Sequence, residues 1–89
     1  EFAAILPKTH LGGGLTVAGR IFHALRQLRV GPAQIIQLSA SIGVSAYPSA
    51  SMTSSSDFFR SAENALVRSK NSGRDRISVY DAAPQLAIA

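Results

Sequence analysis

The stretch from Ile36 to Ala46 constrains the fold most, because its residues alternate between apolar and small polar types. The apolar positions are Ile36, Leu38, Ala40, Ile42, Val44 and Ala46. This period of two predicts a strand with one buried face, in which Ile42 and Val44 point into the core and Ser41 and Ser45 point away from it. At about 3.3 Å per residue the run would exceed about 30 Å. A bend or bulge is therefore expected, and Gly43 is its predicted place.

A helix is predicted before this strand. Apolar residues recur three and four positions apart between Leu11 and Arg29, as on one face of a helix, and Gly31-Pro32 follows as its end. The predicted buried positions are Leu15, Ala18, Ile21, Phe22, Leu25 and Leu28. Further upstream, the apolar run Phe2–Leu6 stops at Pro7 and is predicted to be a first strand.

A second helix is predicted after the serine-rich segment, with Ser56 or Asp57 as its N-cap and Gly73 as the left-handed residue after its end. Its predicted buried residues are Phe58, Phe59, Ala62, Ala65, Leu66 and Ser69. The segment "RISVY" is predicted to be the last strand, and residues 81–89 a tail or linker. The order strand, helix, strand, helix, strand indicates an α/β (α+β) fold with one sheet covered by helices.

Composition limits the protein class. A chain of 89 residues holds at most one small domain, and 46% hydrophobic with 16% charged residues is too apolar for disorder. Cysteine is absent, so disulfides and thiolate metal sites are excluded. No apolar run approaches the roughly 20 residues that span a bilayer, so we expect a cytoplasmic protein without a membrane segment. The net charge of +4 is spread along the chain and does not identify an anionic partner.

Several motif-like features carry little chemistry. The glycines of "HLGGGLTVAG" lack the Lys-Ser/Thr of a Walker loop and the spacing of a dinucleotide fingerprint, so a turn is the better interpretation. His10 and His23 lie far apart, which favours solvated or cap-bonding roles over a metal site. The dispersed arginines and the lack of an aromatic-basic platform rank nucleic-acid binding last.

The heptapeptide "KNSGRDR", residues 70–76, has three of the nine basic residues just past a predicted helix. Two interpretations stay open from the residues alone. Lys70 can be favoured by the helix dipole while Arg74 pairs with Asp75 or Asp81 at the surface, an interaction of about 0–1 kcal/mol. Alternatively, Lys70 and Arg74 bind phosphates.

Three segments carry a resemblance to a known family. "EFAAILP", "SASIGVSAYP" and "SAENALVRSKNSGRDRISVY" resemble, in order and at suitable spacing, the second half of a GGDEF domain of the diguanylate cyclases, over Glu1 to Tyr80. The resemblance implies a nucleotide-cyclase-like sheet and the condensation of two GTP molecules, held in facing domains of a dimer, to cyclic di-GMP with Mg²⁺ or Mn²⁺. Glu1 matches the second acidic residue of the signature, near the metal and the attacking hydroxyl, and Lys70 and Arg74 match the phosphate-binding Lys and Arg.

The departures from the family pattern are also informative. They are Glu63 for Asp, Val67 for Tyr, Ser69 for Ala and Asp75 for Asn. Asp75 is expected to weaken anion binding beside Arg74. The other signature residues, the main metal ligands and the guanine-reading residues would precede Glu1, so the chain is expected to be a fragment that is inactive alone, binds no metal and self-associates. The alternative to a cyclase is a degenerate GGDEF domain that binds GTP or a protein partner and regulates another module.

Overall fold

The computed structural model describes residues 1–48 and 52–80. In these ranges the elements are α1 (Leu11–Gln27), β1 (Arg29–Val30), a 3₁₀ turn (Pro32–Gln34), β2 (Ile36–Gln37), β3 (Ser41–Val44), α2 (Ser55–Asn71) and β4 (Arg76–Val79). This mixture of helices and small sheets confirms the predicted α+β class. The tail or linker predicted for residues 81–89 lies outside the described residues.

The strands form two separate pairs. β1 and β2 are antiparallel, with Val30 opposite Ile36, whereas β3 and β4 are parallel, with Ser41 opposite Arg76. Parallel neighbours need a crossover connection, and α2 provides it between β3 and β4. The segment from β3 to β4 is therefore a βαβ unit, in which residues 72–75 form the loop that joins α2 to β4.

The prediction of one long strand from Ile36 to Ala46 was wrong. Ile36–Gln37 pairs back onto β1, while Ser41–Val44 pairs with β4, so the run divides between two sheets. Gly43 lies inside the regular ladder of β3, opposite Ser78, rather than at a bend. The first helix also ends two residues earlier than predicted, at Gln27, because Arg29 belongs to the hairpin.

The predicted strand Phe2–Leu6 was also wrong. The structure assigns no strand there, and Phe2 and Ile5 are 102% and 78% exposed. A strand is defined by its hydrogen bonds to a neighbouring strand. In the described ranges β1 pairs with β2 and β3 pairs with β4, and neither sheet includes Phe2–Leu6. The strand order predicted from the sequence therefore loses its first member.

Helix α1 begins at a histidine cap. The His10 Nδ1 accepts a hydrogen bond of 3.1 Å from the Gly13 N–H, which confirms the capping interpretation of His10. Ala18 is buried, but Ile21 and Leu28 are 46% and 48% exposed, contrary to prediction. α1 packs against β3 and β4, and a sheet of two strands is too narrow to cover the whole apolar stripe of the helix.

The N-cap of helix α2 lies two residues before the earlier of the two predicted caps. The Ser54 Oγ accepts a hydrogen bond of 3.2 Å from the Asp57 N–H, so Ser54 is the N-cap, and neither Ser56 nor Asp57. The Asp57 carboxylate instead accepts hydrogen bonds from the Thr53 N–H at 2.9 Å and the Thr53 hydroxyl at 2.8 Å. These hydrogen bonds lower the pKa of Asp57 below its usual 3.8. The bond from the Thr53 backbone has the larger effect, and the bond from the Thr53 hydroxyl the next largest.

The face of β3 that packs on α2 is the one predicted to face away from the core. A Cβ on Gly43 would lie 2.2 Å from the Leu66 N and 2.4 Å from the Ala62 O, so the helix backbone touches this glycine. The Ser45 hydroxyl, on the same face, donates to the Phe58 carbonyl at 3.3 Å. This close approach corrects the orientation expected for Ser41 and Ser45.

The other face of β3 is covered as well. A Cβ on Gly14 of α1 would lie 3.7 Å from the Val44 Cγ1, and successive strand residues point to opposite faces. β3 therefore lies between the two helices, and the prediction of a single buried face was wrong. On α2 the buried positions are Ser61, Ala65 and Ser69, whereas Phe59, predicted to be buried, is 54% exposed.

Candidate phosphate-binding site

The candidate site is the end of α2 and the loop that joins it to β4. Gly73, Arg74 and Asp75 have φ values of 114°, 62° and 49°, so three consecutive residues are left-handed. The Arg74 N–H donates to the Ser69 carbonyl at 2.9 Å, which is the six-to-one bond of a Schellman ending, and Gly73 occupies the position predicted for it. The helix thus stops abruptly and presents Arg74 directly after its last turn.

Two further hydrogen bonds fix the backbone of this loop. The Asp75 N–H donates to the Ser41 Oγ at 3.2 Å, which ties the loop to the start of β3. The Arg76 Nε donates to the Arg74 carbonyl at 3.0 Å. The conformation of the loop is therefore set by bonds from both strands and from the helix.

Ser69 anchors the last turn of α2 immediately before Lys70. Its side chain is fully buried, and its hydroxyl donates to the Ile42 carbonyl at 2.9 Å and shares a hydrogen bond of 2.7 Å with the Ser78 hydroxyl. Burial of a hydroxyl is costly unless it is hydrogen-bonded, and here it is satisfied. Ser69, which stands where the family pattern has Ala, therefore connects α2 to both β3 and β4.

Glu1 and Lys70 lie together in the structure. The Lys70 Nζ is 3.1 Å from the Glu1 Oε2, and the two side chains are 35% and 63% exposed. An exposed ion pair of this kind contributes about 0–1 kcal/mol. The structure thus joins two of the three predicted site residues, which stand 69 positions apart in the chain.

Arg74 is exposed, and its guanidinium makes no hydrogen bond or ion pair with any residue in the described ranges. Its predicted structural partner Asp75 pairs instead with Arg26 of α1. The other suggested partner, Asp81, lies outside the described residues. The interpretation in which Arg74 pairs with Asp75 at the surface is therefore wrong.

Sequence reasoning missed Arg26. It lies in the last turn of α1, its guanidinium carbon is 5.6 Å from the centre of the Phe22 ring, and it contacts the Asp75 carboxylate. The Phe22–Arg26 spacing is visible in the sequence, but the contact with Asp75 spans 49 positions and leaves no local pattern.

The described residues do not fit a metal site by themselves. No group of three His, Asp or Glu side chains comes together in residues 1–48 and 52–80. Glu1 offers one carboxylate, and that carboxylate contacts Lys70. Divalent cations such as Mg²⁺ usually require more oxygen ligands than one carboxylate supplies, so Glu1 would not hold one without ligands from other groups.

Fold and site define an α+β protein in which a fixed basic loop follows a helix in a βαβ unit. The family model "Diguanylate cyclase, GGDEF domain" matches residues 1–76, a range that includes Glu1, Lys70 and Arg74. The chain therefore belongs to the GGDEF family of diguanylate cyclases, as the sequence resemblance indicated. No curated protein and no solved structure gives a significant match to it. None of the helices in the described ranges is long and apolar enough to cross a membrane.

Proposed function

We propose that Lys70 and Arg74 bind the phosphates of GTP in a domain that condenses two GTP molecules to cyclic di-GMP. Membership of the family supports the reaction class and the substrate. The observation that carries the assignment of residues is Arg74: its guanidinium lacks a partner among the described residues, yet its backbone is fixed by the bonds to Ser69 and Arg76. A guanidinium that follows a fixed backbone and pairs with none of the described residues is suited to binding an anion.

The two cations have complementary chemistry. Lys70 supplies a compact charge at the end of α2, whereas Arg74 supplies a planar fork that can donate two parallel hydrogen bonds to phosphate oxygens. The Glu1–Lys70 ion pair is exposed, so exchanging the carboxylate for a phosphate oxygen costs little. Lys70 therefore has a carboxylate partner that a triphosphate can replace.

The proposed reaction is a phosphoryl transfer. The 3′-hydroxyl of each GTP loses its proton and attacks the α-phosphorus of the other. A new P–O bond forms, the bond from this phosphorus to the oxygen that bridges it to the β-phosphate breaks, and pyrophosphate leaves. Such reactions depend mainly on positioning and on charge stabilisation, to which Lys70 and Arg74 would contribute. Glu1, beside Lys70, is proposed to lie near the attacking hydroxyl. GGDEF domains are metal-dependent in general. Because the described residues do not form a metal site, Mg²⁺ or Mn²⁺ would need further ligands in the intact domain, and when bound there it would supply further charge stabilisation.

The two-fold symmetry of cyclic di-GMP suggests that two copies of the domain act together. Each GTP supplies one nucleophile and one electrophile, so two domains that face each other, each with one nucleotide, would bring both reacting pairs together. We propose a homodimer for this reason. The site residues are accessible for such an arrangement, since Arg74 is exposed and Lys70 partly so.

The second candidate function is a degenerate GGDEF domain that binds GTP or a protein and regulates an attached module. The observation that favours it is Asp75, whose negative charge directly follows Arg74 where the family has Asn. GTP binding without formation of cyclic di-GMP in the natural protein that carries this chain would select this alternative over the cyclase.

Substitution of the two cations tests the phosphate-binding role. We expect Lys70→Ala and Arg74→Ala each to weaken binding of a non-hydrolysable GTP analogue more than tenfold, because a charge-assisted hydrogen bond contributes about 1.5–3 kcal/mol. The measurement is calorimetry on the natural protein that carries this chain. Tm should change little, because both side chains lie at the surface.

Arg60→Ala is the matched control. It removes one charge from the opposite end of the same helix, where Arg60 lies 3.9 Å from Asp57, and it should leave the affinity unchanged. Unchanged affinity in both Lys70→Ala and Arg74→Ala would instead return these residues to a purely structural role at the end of the helix.

A further inference from the structure

The Arg26–Asp75 ion pair joins the end of α1 to the candidate phosphate-binding loop. Both side chains are 41% exposed, so the pair lies at the surface beside Arg74 rather than in the core. Arg26 also packs over the Phe22 ring one turn earlier in α1, which limits the positions its guanidinium can take. Arg26, which is distant in sequence, is therefore paired with the carboxylate of Asp75, the residue that follows Arg74.

We propose that Arg26 is a positioning residue for phosphate binding: by pairing with Asp75 it keeps this carboxylate away from the Arg74 guanidinium and offsets its charge. The proposal rests on the function proposed for Arg74. It assigns to Arg26, a residue of another helix, the task of keeping Arg74 available for the nucleotide despite its acidic neighbour.

The pair is not needed to shape the loop. The loop backbone is already held by the bonds from Arg74 to Ser69, from Asp75 to Ser41 and from Arg76 to Arg74. Only the first two of these use the backbone N–H groups of Arg74 and Asp75, and none uses the Asp75 carboxylate. Removing the Asp75 charge should therefore leave Arg74 in place.

Electrostatics gives the direction of the effect. Without Arg26, the carboxylate of Asp75, which directly follows Arg74 in sequence, would lose its cationic partner and would compete with phosphate for the Arg74 guanidinium. An anion approaching the loop would also meet an uncompensated negative charge. With Asn at position 75 neither effect exists, so the requirement for Arg26 should disappear as well.

Three variants separate this role from a structural one: Arg26→Gln, Asp75→Asn and the double variant. Affinity for a non-hydrolysable GTP analogue is measured by calorimetry at low salt in the natural protein that carries this chain. We expect Arg26→Gln to weaken binding about fivefold, as for a surface charge pair. Asp75→Asn should bind at least as tightly as the unaltered protein, and the double variant should recover to within about twofold of it.

Thermal unfolding supplies the second readout. Both single variants lose the same ion pair, so their Tm values should fall by similar small amounts, and the double variant should not regain the lost Tm. Arg20→Gln removes a charge from the same helix at an exposed position and should leave the affinity within twofold, which controls for the change in net charge.

The outcomes distinguish the inference from the function on which it rests. Equal loss of affinity in Arg26→Gln, Asp75→Asn and the double variant would overturn the inference and make the pair a structural link. Unchanged affinity in Arg26→Gln would overturn it too, while weaker binding by Lys70→Ala and Arg74→Ala would leave the proposed function standing. No binding by the unaltered protein would overturn both.

Discussion

At the scale of single residues, Gly43 sets how closely α2 approaches the sheet. The helix contributes backbone atoms of Ala62 and Leu66 to this contact, and backbone cannot move aside as a flexible side chain can. Interiors are close-packed, so one added methyl group at such a position has to displace the whole helix. Gly43 is therefore required by the contact, although its own backbone conformation is an ordinary strand.

We expect Gly43→Ala to destabilise the protein by about 3 kcal/mol or more, because the new Cβ would overlap the backbone of α2. Gly19→Ala is the control: it lies inside α1, a Cβ there meets nothing within 4 Å, and the change should stabilise by about 0.5–1 kcal/mol. Urea denaturation of both variants measures the difference. Equal stability of the two variants would contradict the close approach of α2 to β3.

At the scale of elements, the sequence predicts what is local and misses what is long-range. The existence of both helices and the ending of α2 just before the left-handed Gly73 follow from apolar spacing and cap chemistry within a few residues. The division of residues 36–46 between two sheets depends on partners elsewhere in the chain. The apolar run Phe2–Leu6 was predicted to be a strand, but a strand needs a neighbouring strand to pair with, and none pairs with this run in the described ranges.

The same distinction holds for the site. Lys70 and Arg74 could be proposed from the resemblance alone, and Glu1 likewise, but their roles remain proposals. The proximity of Glu1 to Lys70 and the pairing of Arg26 with Asp75 required the three-dimensional structure, since both contacts join distant segments.

The N-terminus of α2 should contribute a pH-dependent part of the stability. The pKa of Asp57 is lowered in the folded state, mainly by the hydrogen bond from the Thr53 backbone, so the unfolded chain binds this proton more tightly. The stabilisation by the Asp57 carboxylate is therefore complete above the usual pKa of 3.8, and it is lost as the pH falls through the lower folded-state pKa.

Thermal unfolding of the unaltered chain and of Asp57→Asn from pH 7 to pH 2.5 tests this expectation. The difference in Tm should be largest near neutral pH and should shrink below pH 3.8. Glu63→Gln removes a carboxylate of the same helix that bonds to no residue in the described ranges and serves as the control. A difference that stays constant over the whole pH range would show that the Asp57 charge does not stabilise the helix.

At the scale of the whole molecule, few apolar side chains are buried. In the described ranges the buried apolar residues are Ala18, Met52 and Ala65, all of modest size or flexible, whereas Phe2, Ile5 and Ile35 are more than three-quarters exposed. Small domains already have marginal cores, and exposed apolar surface favours association.

We expect the 89-residue chain to self-associate in a concentration-dependent way. Size-exclusion chromatography with light scattering at several concentrations measures this, and replacing both Phe2 and Ile5 by Ser should shift the equilibrium toward the monomer. Lys8→Ser, a change at an exposed polar position nearby, should not. A monomer at every concentration would refute the expectation.

The βαβ unit from β3 to β4 also has a consequence for the order of folding. Most of the contacts that join elements lie within this unit, so its chain loops are short and the entropy of closing them is modest. The bonds that shape the loop after α2, from Ser69 and Ser41, belong to the same unit. The loop that presents Arg74 is therefore expected to form early with the βαβ unit, whereas Glu1 and Arg26 reach it only when the more distant parts of the chain dock.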